Sequence, residues 1–205
     1  MNLKIQIYYE LYRKLIHLSS SIFSIIYLFY EKTEMLLLLF AIGVFFISWD
    51  YLRHYNALIN AWFNLFFAKA LRIKEKHNHQ LTSASFMFLG LIISAVLFNK
   101  FVVITSWLVL SIADTLASLG GRRFGNPTKH GKSILGATIF LSTSIVISFI
   151  MKQFYSYDLN FTNLIFACCV TCIAEFFSNK IKIDDNFLIP IVFCLSYNID
   201  LILTI

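Results

Sequence analysis

The segment Ala57-Leu-Ile-Asn-Ala-Trp-Phe-Asn-Leu-Phe-Phe-Ala-Lys-Ala-Leu71 decides how the rest of the chain is threaded. It is apolar enough to cross a bilayer, yet Asn56, Asn60 and Asn64 recur at a four-residue spacing, and Lys69 and Arg72 follow. Three amides on one helical face predict a helix that lies in the membrane interface instead of crossing it. Around it stand seven further apolar runs, near Leu15–Tyr30, Met35–Trp49, Leu81–Phe98, Phe101–Leu119, Ile134–Met151, Phe161–Phe176 and Phe187–Ile205. With flanking aromatics and some tilt, each can cross a bilayer core, which takes about 20 residues.

The basic residues arbitrate, because they concentrate on the cytosolic side of membrane proteins. If the segment lies flat and the N-terminus is cytosolic, the inner side holds Lys4, Arg13, Lys14, Arg53, Lys69, Arg72, Lys74, Lys76, Arg122, Arg123, Lys129, Lys132, Lys180 and Lys182. The outer side then holds Lys32, Lys100 and Lys152, a split of 14 to 3 that accounts for all 17. If the segment crosses, every later loop changes side and the split becomes 6 to 11. The sequence therefore predicts an all-α polytopic membrane protein with about seven transmembrane helices, one interfacial helix and a cytosolic N-terminus. Residues 1–205 read as a single integral-membrane domain, without repeats, low-complexity tracts or linkers.

Composition excludes the competing classes. Of the 205 residues, 59% are hydrophobic and 14% charged, and the mean hydropathy is +0.74. A soluble domain cannot hide that much apolar surface. A membrane β-barrel would alternate polar and apolar residues, whereas these runs are continuously apolar. The net charge of +6 sits in short clusters between apolar runs, a pattern of topology signals and headgroup contacts and not of nucleic-acid binding. Cys168, Cys169 and Cys172 fall in one apolar run, with Cys194 further on, and read as small packing residues. Arg13 and Lys14 precede an apolar stretch that has no small-residue cleavage site, so that stretch is expected to stay as the first span.

The unusual polar residues gather on the predicted inner face. Asp114 and Glu175 each end an apolar run, where a carboxylate is costly and marks a site. From Asp114, a face of small residues (Ala117, Ser118, Gly121) continues inward, and five of the seven glycines lie between Ala113 and Gly136. Arg122, Arg123, Lys129 and Lys132 follow among glycines Gly121 and Gly125, and Ser133 is placed to cap the next helix. Cations, exposed backbone amides and a helix N-terminus together make a phosphate-binding arrangement. It is not a Walker motif, because no glycine stands five positions before Gly131. The pair Asp184-Asp185 beside Asn186 offers oxygen ligands suited to Mg²⁺, which completes its shell with water and substrate phosphates. Phosphoryl or nucleotidyl transfer to a membrane-embedded acceptor is the chemistry these parts serve.

Taken in order, the motifs resemble the CTP-dependent lipid kinase family of dolichol kinase, phytol kinase and yeast-type diacylglycerol kinase, relatives of the CDP-diacylglycerol synthases. The resemblance covers most of the chain: Arg13-Lys14-x-x-His17, Asp50-x-x-Arg53, Arg72-x-x-Glu75, and Ala113-Asp114-x-x-Ala117-x-x-x-Gly121-x-x-x-Gly125. Lys132-Ser133-x-x-Gly136, Glu175-x-x-Ser178 and Asp184-Asp185-Asn186-x-x-x-Pro190 complete it. One position departs: Leu135 stands where the family carries a glutamate before the glycine, and Ala137 where a serine is familiar.

The resemblance implies transfer of a phosphoryl group from CTP, or another nucleoside triphosphate, to a lipid alcohol such as a polyprenol, phytol or diacylglycerol. Asp114, Lys132 and Glu175 are the expected catalytic residues. Asp114, Glu175, Asp184 and Asp185 are expected to hold Mg²⁺ or another divalent cation. Gly121, Arg122, Arg123, Gly125, Lys132, Ser133 and Gly136 are expected around the phosphates, and Arg13, His17, Asp50, Arg53, Arg72, Glu75 and Asn186 along the same cavity. The partners are a lipid in the bilayer and a nucleotide from the cytosol, with no nucleic acid. A phosphatidate cytidylyltransferase would use the same parts, and a non-catalytic scaffold or transporter is the reading that Leu135 leaves open.

Overall fold

The apolar runs fold as helices, and polar residues at their ends decide where each begins and stops. The structure is a computed structural model, and it describes residues 3–68, 71, 80–129, 131–155 and 159–199. Ten α-helices follow one another among these residues: α1 (Leu3–Ser19), α2 (Ser21–Phe29), α3 (Lys32–Leu52), α4 (Ala57–Phe67) and α5 (Ser83–Leu97), then α6 (Lys100–Leu108), α7 (Asp114–Phe124), α8 (Ile134–Phe154), α9 (Phe161–Ile181) and α10 (Asp185–Tyr197). A π-helical turn, Val109–Ala113, joins α6 to α7. No strand is present among the described residues beyond an isolated bridge between Pro127 and Ser133.

Four helices are long and apolar enough to cross a membrane: α3, the continuous helix Lys100–Phe124, α8 and α9. In Lys100–Phe124, 72% of the most apolar stretch is buried within the protein, against 22% for α3 and 33% for each of α8 and α9. That helix is therefore the axis of the bundle, and the others wrap it with one face turned outward.

Among the described residues, the remaining expected runs form helices shorter than the hydropathy pattern implies. The run Leu15–Tyr30 is divided between α1 and α2 near Ser19 and Ser20. Both serine hydroxyls bond back to the preceding turn, Ser19 to the Ile16 carbonyl and Ser20 to the His17 carbonyl, each at 2.6 Å. Such bonds bend a helix. At 15 and 13 residues, α5 and α10 are roughly 20–22 Å long, short of a bilayer core of about 30 Å. Each starts at a side-chain cap, α5 at Thr82 and α10 at Asp184.

The short connections Glu31–Glu34 and Asn99–Lys100 would pair their flanking helices, but the main contacts are made elsewhere: α2 lies on α6, with Tyr27 stacked on Trp107 at 5.4 Å, and α3 lies on α5. Gly43 lets α3 approach closely: a Cβ there would meet Ile92 at 2.9 Å. Gly90 does the same between α5 and α10, where a Cβ would come within 3.0 Å of both the Asn186 carbonyl and the Pro190 ring.

Lysines stitch this end of the bundle. Lys32 Nζ donates to the Val96 carbonyl and Lys100 Nζ to the Tyr30 carbonyl, both at 2.9 Å, and Lys152 Nζ donates to the Leu159 carbonyl. Cations at the last carbonyls of a helix satisfy groups that have no partner within it.

Of the three asparagines around α4, Asn56 is the N-cap, its Oδ1 accepting from Leu58 N–H at 2.9 Å. Asn64 instead donates to Asn60 at 2.9 Å along the helix. The helix is held on α3 by Phe63, which is fully buried against Phe46 and Trp49. Leu58, Trp62 and Leu65 remain exposed.

Candidate functional site

Asp114 is the first residue of α7, immediately after the π turn, and its backbone N–H bonds to the Val109 carbonyl five residues earlier. A π turn inserts one residue into the helical register and so re-aims everything beyond it; such turns recur at functional sites. Glu175 projects from α9 and Asp185 opens α10. One carboxylate oxygen from each of Asp114, Glu175 and Asp185 lies within 4.8 Å of the other two. Three helices distant in sequence thus converge their acids on one point.

Two lysines answer the charge. Lys132 Nζ donates to Glu175 Oε1 and reaches Asp185 Oδ2 at 3.3 Å. Lys14 Nζ, from α1, donates to Asp114 Oδ2 at 2.5 Å. His17, one turn further along α1, places Nε2 at 3.0 Å from the Leu110 carbonyl inside the π turn and 3.4 Å from Asp114 Oδ2. Burial works against the Lys132 ammonium, but Asp185, Glu175 and Asp114 outweigh it, and the group is held above the ordinary lysine range. Three carboxylates thus face two lysines and one histidine.

The cluster is recessed. Asp114 stands ten residues before the end of α7 at Phe124, and Glu175 six before the end of α9 at Ile181. At 1.5 Å per residue, it lies roughly 9–15 Å below those helix ends. The early start of α10 makes this possible, because Asp185 can meet Asp114 only if α10 begins at that depth.

The loop from α7 to α8 delivers Lys132. Thr128 accepts the Gly131 N–H at 2.9 Å, and its own N–H and hydroxyl both donate to the Lys132 carbonyl, at 2.9 and 2.7 Å. The turn closes at Gly131, whose φ of +78° is the left-handed conformation that glycine adopts without strain.

The other predicted residues fall into separate groups. Asp184 does not join the three acids: its Oδ1 caps α10 through Asn186 N–H at 3.1 Å, and its Oδ2 accepts from Ser83 Oγ at 2.9 Å. Asn186 Nδ2 donates to the Ser83 carbonyl at 3.1 Å, so both residues tie α10 to the start of α5.

Asp50 and Arg53 pair with each other at 2.7 Å in a second buried group. Asp50 also accepts from Thr82 N–H at 2.7 Å, Thr82 Oγ1 at 2.9 Å and Ser85 Oγ at 2.5 Å. The Arg53 guanidinium rests over Phe63 at 4.8 Å.

Gly121, Gly125 and Gly136 surround the Ser133 hydroxyl: a Cβ on each would stand 2.6, 2.5 and 3.1 Å from Ser133 Oγ. Their smallness lets the end of α7 meet the start of α8, where Ser133 caps the helix through Gly136 N–H at 2.9 Å. Arg122 and Arg123 are exposed at the end of α7, with Arg123 over the Phe124 ring, and Arg13 is half-buried on α1. Arg72 and Glu75 lie outside the described residues.

Sequence reasoning missed Lys14, the residue that enters the cluster from α1 where Arg13 was expected. The spacing held no signal that separates them, because residues three and four before His17 both lie on its side of the helix.

Carboxylate oxygens are the donors that hard divalent cations take, and ligands on opposite sides of an Mg²⁺ ion are about 4.2 Å apart. Adjacent ligands are about 3 Å apart, so Asp114, Glu175 and Asp185, whose oxygens lie within 4.8 Å of one another, would hold such an ion by drawing together. The cysteines offer no competing soft site here: Cys172, on the same helix as Glu175, donates to the Ala137 carbonyl at 3.3 Å.

An all-helical bundle with four membrane-length helices and a recessed carboxylate–lysine cluster between them is the class that fold and site define. The chain belongs to the family of the uncharacterized protein RP860 of Rickettsia prowazekii, with 38% identity over 192 residues, 93% of this chain and 94% of that protein. It is also similar to the uncharacterized protein MJ1137 of the archaeon Methanocaldococcus jannaschii, with 29% identity over 193 residues, 92% of this chain and 93% of that one. No family model and no solved structure matches it.

Proposed function

We propose that the protein is a membrane lipid kinase that moves the γ-phosphoryl group of CTP, or another nucleoside triphosphate, to the hydroxyl of a lipid alcohol such as a polyprenol, phytol or diacylglycerol. The observation that carries the reading is the convergence of Asp114, Glu175 and Asp185, from three helices, on a point shared with Lys132. The choice of CTP rests on the family resemblance.

In this reading the chain crosses the membrane seven times, with its N-terminus and the cluster on the cytosolic side and α4 lying in the interface. The 14-to-3 distribution of basic residues supports that orientation. So does the position of the three remaining lysines, Lys32, Lys100 and Lys152, each of which has a local carbonyl to serve at the far end of the bundle.

The residues divide the work. A divalent cation held by Asp114, Glu175 and Asp185 would supply charge neutralisation to the β- and γ-phosphates. The ammonium of Lys132 gives a fixed positive charge where negative charge grows as the phosphoryl group transfers. Asp114, deepest along the central helix, is the acid placed to accept the proton of a lipid hydroxyl approaching from the bilayer. The hydroxyl oxygen bonds to the γ-phosphorus, the bond to the nucleoside diphosphate breaks, and the lipid leaves as its phosphate. The recess of the cluster keeps bulk water from competing as acceptor.

Purified protein given Mg²⁺, a panel of lipid alcohols and lipid phosphates, and CTP labelled at either the α or the γ phosphorus tests the reading. Label reaching lipid from the γ position is the expected result. Label arriving from the α position would make the protein a cytidylyltransferase, and no transfer to any lipid would remove the catalytic reading.

A further inference from the structure

We infer that Lys14 is a built-in counter-ion for Asp114, one that a divalent cation must displace in order to bind. The inference rests on the cation site proposed above and concerns a residue to which neither the expected site nor the proposed mechanism gives a role.

Lys14 is 7% exposed, and its ammonium donates to Asp114 Oδ2 at 2.5 Å. Asp114 is itself 2% exposed, so this pair has little water to share its charge. On the opposite side of the cluster Lys132 spans Glu175 and Asp185. Each carboxylate of the trio thus has a lysine on it, Glu175 and Asp185 sharing one, and the two lysines stand where the charge of a dication would be felt. An ion coordinated by all three acids shares the Asp114 carboxylate that Lys14 holds and competes with its ammonium for that charge. Lys14 takes one positive charge off the acids as the ion brings two, while Lys132 keeps its place on Glu175 and Asp185.

Position on the helix supports an exchangeable role over a purely structural one. Lys14 comes from α1, which touches the bundle mainly through the π turn, the start of α7 and α2. His17, one turn along, anchors α1 to the Leu110 carbonyl independently of the lysine. The Lys14 side chain can therefore release Asp114 without undocking the helix, and its flexible four-carbon stem suits that movement.

The test is Mn²⁺ binding to the purified full-length protein, followed by electron paramagnetic resonance with no nucleotide present. Lys14→Met removes the competing charge and is expected to bind Mn²⁺ about tenfold more tightly than wild type, a difference of ~1.4 kcal/mol. Lys14→Arg keeps a cation on Asp114 and is expected within about threefold of wild type. Unchanged or weaker binding in Lys14→Met, or no Mn²⁺ binding in any form, overturns the inference.

A second measurement uses wild type alone and does not depend on the variant folding. Acylation of Lys14 by an amine reagent, read by mass spectrometry, is expected to rise when Mn²⁺ is added, and equal labelling overturns the inference. Neither readout involves phosphoryl transfer. Tighter Mn²⁺ binding in Lys14→Met combined with no lipid phosphorylation by wild type would reject the kinase reading and leave the role of Lys14 standing.

Discussion

The Asp50 carboxylate, near the C-terminal end of α3, accepts the backbone N–H of Thr82 at 2.7 Å and so completes the N-terminus of α5 from outside that helix. Three further donors, from Arg53, Thr82 and Ser85, fill its remaining positions. A buried acid with every lone pair used has none left for a ligand, and the Asp50–Arg53 motif is explained by holding α3, α4 and α5 together.

The expected outcome for Asp50→Ala is therefore lost stability, because it leaves Arg53 as a buried charge without its acid. Removing one partner of such a pair costs about 3–5 kcal/mol. Thermal denaturation in detergent measures it. An Asp50→Ala protein that melts like wild type yet loses activity would show that the residue belongs to the reaction.

Around Ser133 the question is whether glycines serve a ligand or a helix contact. A Cβ at Gly121 would stand 3.0 Å from the Gly136 Cα and 2.6 Å from Ser133 Oγ. Gly121→Ala is expected to force α7 and α8 apart and cost about 1–3 kcal/mol, seen as a lower melting temperature. An unchanged melting temperature with a raised KM for nucleotide would assign Gly121 to phosphate binding instead.

Orientation can be checked without any assay of function. In a background lacking the four native cysteines, Arg123→Cys is expected to resist a membrane-impermeant maleimide added outside intact cells, whereas Glu31→Cys reacts. Labelling of Arg123→Cys from outside contradicts the cytosolic placement of the cluster.

Much of the scaffold was legible in the sequence, since long apolar runs bounded by polar residues leave few alternatives to helices. The run Met35–Trp49 lies within α3, Ile134–Met151 within α8 and Phe161–Phe176 within α9. Ser133 caps α8, as a serine before an apolar run should.

The break at Ser19–Ser20 was hidden because serines are common in these apolar helices, and Ser94, Ser106 and Ser144 bond back to the preceding turn in the same way without breaking theirs. The π turn was hidden because inserting one residue changes register without changing composition.

Asp114 and Glu175 were legible as acids at the ends of apolar runs, and Lys132 as part of a cationic loop. Asp184 and Asp185 could not be separated. Consecutive residues at a helix start point about 100° apart, and only the cap geometry shows that Asp184 turns to Ser83 while Asp185 turns to Lys132.

That adjacent pair gives the most direct test of whether the three-acid cluster is the reacting centre. The measurement is the rate of γ-phosphoryl transfer from labelled CTP to lipid by wild type, Asp184→Asn and Asp185→Asn. Asparagine caps a helix as well as aspartate does, so Asp184→Asn is expected to stay within about threefold of wild type. Asp185→Asn takes a carboxylate from the cluster and a partner from Lys132, and is expected to fall by about a hundredfold or more. Equal losses in the two variants, or a Asp185→Asn protein that keeps its rate, would contradict the account.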